Sequence, residues 1–149
     1  MIGMTNTSAV TALTLYQLAP PLITLQFAAF GWRMNREINH GEGGSANWIP
    51  IPDLLNIGSL FATVACLIVI PIATVDYLWL SRIVLGIGYV LIAFHPFTVS
   101  AHYCLWRKED RRRYLAEGKH HAYATSEELV LASVSVIAAA TAAIFIGSH

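Results

Sequence analysis

Residues Leu54 to Val75 read LLNIGSLFATVACLIVIPIATV, with no Asp, Glu, Lys or Arg among them. A helix needs about 20 apolar residues to cross about 30 Å of hydrocarbon, and this stretch is long enough. Three more charge-free stretches accompany it: Met1 to Trp32, Ile83 to Trp106 and Leu129 to Ser148. Unpaired backbone groups are costly in lipid, so each stretch is expected to be a helix.

Composition agrees. Only 12% of the 149 residues are charged and 56% are hydrophobic, against about 25% charged in a soluble domain. An ordinary soluble enzyme or DNA-binding module is excluded, and a formal net charge of zero gives no field toward nucleic acid. The expectation is an all-α integral membrane protein, one domain over residues 1–149, with four transmembrane helices in an up-down bundle. The spans fall near 8–32, 54–75, 79–106 and 127–147. Trp32, Trp48, Trp79 and Trp106 lie at or beside span ends, where aromatic belts sit. The first span reads as a mature helix: Met1 to Thr7 carries no Lys or Arg, and its apolar run exceeds a signal peptide's core.

Basic residues mark cytoplasmic connections. Arg33 and Arg36 fall in the first connection (33–53), and Arg107, Lys108, Arg111, Arg112, Arg113 and Lys119 in the third (107–126). Only Arg82, of nine basic residues, falls in the second. The two basic loops therefore face the cytoplasm and both termini face away, in a multi-pass protein of the cell (inner) membrane. The first loop contains Gly41, Gly43, Gly44 and Ser45 before Trp48-Ile49-Pro50-Ile51-Pro52. Residues 107–117 can extend the third helix, with Gly118 as a stop. Thr125 and Glu128 have capping-box spacing for the fourth. Pro20, Pro21, Pro71 and Pro96 read as packing kinks.

Spans associate through small and polar residues, and 3–4 spacing selects one such stripe per helix. The third helix offers Ser81, Val84, Gly88, Leu91, His95, Thr98 and His102; the second Asn56, Ser59, Thr63, Cys66, Ile70 and Ala73. The first offers Thr14, Gln17, Pro21, Thr24, Ala28 and Gly31; the fourth Ala132, Ser135, Ala139, Ala142 and Ile146. A polar seam of Gln17, Asn56, Thr63, Cys66, His95, Thr98 and His102 follows. His95 and His102 come first, because an ionisable group inside a membrane is a functional hypothesis by default. The plainer reading, a neutral His bonded to a facing Thr, Asn or carbonyl, is preferred as ordinary interhelical glue.

No metal or other cofactor is expected. His95 and His102 are seven residues apart, about 10.5 Å along one helix, so they cannot take opposite faces of one haem; haem b would need a second subunit. His120 and His121 lack a Cys or carboxylate at zinc spacing, and Cys66 and Cys104 lie at different depths with no CxxC. Asp76 and Arg82 flank the second hairpin as an interfacial ion pair. Arg107, Lys108, Arg111, Arg112 and Arg113 suit anionic lipid headgroups or a docking partner.

Three function classes follow. The preferred one is a structural or accessory subunit of a homo-oligomer or of a complex with another membrane protein, a reading that leans away from an enzyme without deciding the point. The second is an oligomeric channel or transporter passing protons or a small solute along the His/Thr/Gln seam. The third is a membrane enzyme or haem-binding redox subunit. Size and termini-out topology are similar to the trimeric membrane enzymes of eicosanoid and glutathione metabolism. Those carry Glu-Arg…Asn on the second helix, whereas here that helix begins Asp53-Leu54-Leu55-Asn56 and holds no Arg. Arg36 and Glu37 stand in reversed order and elsewhere, so the chain is not assigned to that family.

Overall fold

The computed structural model describes residues 4–40, 49–73, 78–103 and 125–148, with side-chain surroundings from residue 13 onward and not for 37–40. Every regular element among them is helical: α1 (Met4–His40), α2 (Ile51–Val64), a π-helical turn (Ala65–Val69), α3 (Ile70–Ala73), α4 (Leu78–His102) and α5 (Ser126–Gly147). The α2, π and α3 segments follow one another without a break. Four helical stretches are long and apolar enough to cross a membrane: Leu13–Arg36, Ile51–Ala73, Leu78–His102 and Ser126–Gly147. The last of these has 22 residues, about 33 Å at 1.5 Å per residue, so all four exceed the hydrocarbon thickness.

Two boundaries differ from expectation. Residues 33–40 continue α1 rather than opening a loop, so Arg33 and Arg36 sit on the helix. Ile51 and Pro52 belong to α2, whose N-cap is Pro50. Proline fits there because first-turn N–H groups have no intrahelical acceptor anyway. The Thr125–Glu128 capping box forms as spaced.

The π turn has a local cause. Within it Ile70 N–H bonds Ala65 O, one residue further back than in an α-helix. Pro71 has no N–H to continue that ladder, so Cys66 O loses its next donor. Ser81 Oγ supplies it from α4 at 2.8 Å. Pro20 and Pro21 cost α1 the donors that Tyr16 O and Gln17 O would otherwise receive, and one residue further on Tyr89 Oη donates to Leu18 O at 3.0 Å.

α4 is the central helix, touching α1, α2 and α5, whereas α1 and α5 do not touch among the described residues. The α4–α5 contact is the most extensive, through buried Ala132, Ser135 and Ala139. Ile146 lies where a side chain on Gly86 would have to go. Such close approach through small residues is how helices associate where lipid competes for apolar contact.

The α1 stripe differs from expectation. Gln17, with Thr14, Pro21, Thr24, Ala28 and Gly31, lies on the exposed face, while Leu15, Ala19, Leu22, Gln26 and Arg33 are buried. The periodicity was right and the register was not. α4 supplies the small residue at this contact: a Cβ on Gly88 would sit 2.6 Å from Leu22 Cδ2, so α1 can present leucine. On α2, Asn56, Ser59 and Thr63 are buried as expected, Cys66 and Ile70 half-buried, and Ala73 exposed. The interior thus has two zones. Leu15, Ala19, Leu22, Leu67 and Leu85 form an apolar core, and polar and charged side chains fill the end where α1 finishes and α2 begins.

Candidate functional site

The charged zone is built around Asp53, in the first turn of α2 and 2% exposed. Its Oδ2 lies 3.3 Å from Nε of Arg33 on α1. Its Oδ1 lies 3.1 Å from Nε2 of His95 on α4. An ionised carboxylate only accepts, so His95 donates Nε2–H and one carboxylate ties three helices together. Tyr103 extends the group: its ring lies under two guanidinium carbons, 4.9 Å from Arg33 Cζ and 3.5 Å from Arg36 Cζ, both within cation–π range.

A second group lies beside the first. Glu128, on α5, is 0% exposed. Its Oε2 receives Nδ1 of His102 at 2.8 Å, and its Oε1 receives the backbone N–H of Ile51 at 3.1 Å. Pro50 offers no side chain to cap α2, so a carboxylate from another helix caps it instead. Asp53 and Glu128 thereby both sit at the N-terminus of α2, where the helix dipole favours negative charge. Thr125 Oγ1 accepts from Glu128 N and donates to Ala101 O at 3.2 Å. Together, Arg33, Asp53, His95, His102 and Glu128 join all four long helices at one end of the molecule.

Toward the middle lie Gln26, Asn56 and Ser59. Gln26 Nε2 donates to Ser59 Oγ, and Asn56 Nδ2 donates to Gln26 O at 3.0 Å. Gln26 Oε1 and Asn56 Oδ1 are buried acceptors without a hydrogen-bond partner. Thr63 and Thr98 bond back to their own helices, Thr63 to Ser59 O at 2.7 Å and Thr98 to His95 O at 3.0 Å.

The expected seam is thus partly assembled. Asn56, Thr63, His95, Thr98 and His102 face the interior, Cys66 is half-buried, and Gln17 is exposed, while Gln26, further along α1, is the glutamine that faces the interior. Both histidines find carboxylates, not the Thr, Asn or carbonyl partners expected. Asp53, Glu128 and Arg33 do not stand out in the sequence as site residues because each has a local explanation: a span boundary, a capping box and a topology signal. The available clue was spacing. Arg33 continues the run 15, 19, 22, 26, and Glu128 precedes Ala132 by one turn, so both lie on buried faces. Asp76 and Arg107, Lys108, Arg111, Arg112 and Arg113 lie outside the described residues; Arg82 is exposed.

Among the described residues no group of three or more His, Cys, Asp or Glu could hold a metal ion. A groove of about 400 Å³ runs between α1 and α4, apolar except for Arg36, His95, Ser100 and Tyr103. Comparison with known protein families, with curated proteins and with solved structures finds no match to this chain.

Proposed function

We propose that the chain is an integral membrane protein serving as a structural or accessory subunit of a homo-oligomer or of a larger membrane complex, without catalytic chemistry of its own. Its four helices cross the bilayer as an up-down bundle. The basic first and third connections face the cytoplasm, and both termini lie on the opposite side. The charged belt then lies toward the cytoplasmic face of the cell membrane, with the polybasic Arg107–Arg113 segment beside anionic headgroups.

One observation carries this reading. The five ionisable side chains of the belt are engaged with one another across helix boundaries, which is what a bundle needs to fix the mutual positions of its helices. Buried polar and ionic groups specify one arrangement among several apolar alternatives. Outside the belt the helices present large apolar side chains, such as Phe61, Ile72 and Ile144, suited to lipid or to neighbouring helices.

Native mass spectrometry on protein gently extracted from its own membrane tests this, with an absorbance spectrum of the same sample. The expected result is a fixed-stoichiometry assembly, of this chain or with another polypeptide, and no chromophore. A strict monomer, or a Soret band with haem mass, overturns it.

A specific observation favours a second reading, proton passage. His95 and His102 each bond a carboxylate, and the unpartnered acceptors of Gln26 and Asn56 lie toward the apolar core. Paired His and carboxylate groups inside a membrane are the raw material of proton relays.

A further inference from the structure

The groove between α1 and α4 has an organised polarity. Its walls are Ala28, Ala29 and Trp32 on α1 and Ile92, Pro96 and Val99 on α4, with Arg36 and Tyr103 at one end. From Ile92 to Tyr103 is 11 residues, about 16 Å along the helix. The groove is therefore long, mainly apolar with His95 and Ser100 also on its α4 wall, and cationic at its tip. Arg36 differs from Arg33 in one respect. Arg33 is buried against Asp53, whereas Arg36 is half-buried and its guanidinium stacks on the Tyr103 ring at 3.5 Å. A guanidinium that meets a ring through its face keeps its edge N–H donors for an anion, and such an edge can receive a phosphate in bidentate fashion.

We infer that this groove binds one anionic phospholipid of the surrounding bilayer, its acyl chain along Ala28, Ala29, Pro96 and Val99 and its phosphate on Arg36. The inference rests on the chain spanning a membrane. Charge complementarity selects this occupant. An apolar helix from a neighbouring subunit would fill the walls but leave the guanidinium edge unanswered. A zwitterionic lipid would supply the chain with less favourable charge. Basic pockets between spanning helices on the cytoplasmic side are where anionic headgroups bind, and a volume of about 400 Å³ lies within the ordinary range of ligand pockets.

Trp32 lines the groove and serves as reporter. A variant with Trp48, Trp79 and Trp106 changed to Phe is placed in phosphatidylcholine nanodiscs. These contain rising fractions of brominated phosphatidylglycerol or, separately, brominated phosphatidylcholine, whose bromines quench tryptophan on contact. Half-quenching is expected at about five-fold lower mole fraction for phosphatidylglycerol, the preference one basic residue confers near a membrane surface. Arg36→Gln should remove that preference without moving the phosphatidylcholine curve. Ala29→Leu, which narrows the groove and keeps Arg36, should weaken quenching by both lipids. Superimposable curves for the two lipids, or a preference that survives Arg36→Gln, overturn the inference. A companion protein retaining only Trp79, which is 61% exposed, separates the two failures. Quenching of Trp79 but not Trp32 means the groove is covered by another helix, and the lipid site fails while the membrane reading stands. Quenching of neither overturns both.

Discussion

Replacing Asp53 with Ala removes the one group that answers both Arg33 and His95. Arg33 is 3% exposed and Asp53 2%, so the guanidinium loses its buried carboxylate and cannot make up that contact with bulk water unless α1 moves. Removing one partner of a buried ion pair costs about 3–5 kcal/mol. Loss of the His95 hydrogen bond alone is a smaller matter, about 0.6 and at most about 1.7 kcal/mol for interhelical polar contacts in membranes. The single variants should therefore rank Asp53→Ala well above His95→Ala in cost. The double variant Arg33→Met with Asp53→Leu removes both charges and refills the volume, and should return to within about 1–2 kcal/mol of the native protein. The assay is reversible unfolding in mixed micelles by SDS titration, read by helicity, with a double-mutant cycle over Arg33 and Asp53. A cost below about 1 kcal/mol for Asp53→Ala would refute the reasoning. So would a double variant as unstable as the sum of the singles, because the charges would then not be answering each other.

Further predictions concern the same packing. Glu128→Ala should cost about 2–4 kcal/mol in that assay, through loss of the His102 contact and of the α2 cap. Glu128→Gln, which keeps an acceptor for Ile51 N–H, should cost clearly less. Gly88→Ala should destabilise by about 1–3 kcal/mol, because the added methyl meets Leu22; Leu22→Ala in the same chain should recover part of that loss. Ser81→Ala should cost about 1 kcal/mol by stranding Cys66 O, and Pro71→Ala in that background should reduce the cost by restoring a backbone donor. Nitrogen NMR of labelled histidine should find a proton on Nε2 of His95 and on Nδ1 of His102, the atoms facing carboxylates. Bare nitrogens at either position would contradict the network.

The four spans were legible because lipid imposes a length and a composition that little else imitates. The buried face of α4 was legible too, because Gly88, His95, Thr98 and His102 recur at 3–4 spacing among large apolar residues. α1 was not. A stripe of small residues and a stripe of Leu15, Leu22, Gln26 and Arg33 satisfy the same period, and the partner decides between them: Gly88 receives Leu22. Periodicity in one helix cannot say where its neighbour is small. The carboxylates were hidden for a different reason. Asp53 and Glu128 lie in the first turns of helices, where acidic residues are favoured by the dipole and by capping alone, so sequence gave no cause to look for a second contact. Their role across helices follows from how deeply those first turns are buried.

On the function proposed above, the belt of Arg33, Asp53, His95, His102 and Glu128 holds helices together and carries no protons. Proton uptake by proteoliposomes containing the native protein, driven by a potassium-diffusion potential, tests it most directly. Uptake should be no faster than in protein-free liposomes, and unchanged by His95→Ala. Uptake above that background that His95→Ala abolishes would contradict it and establish proton passage in its place.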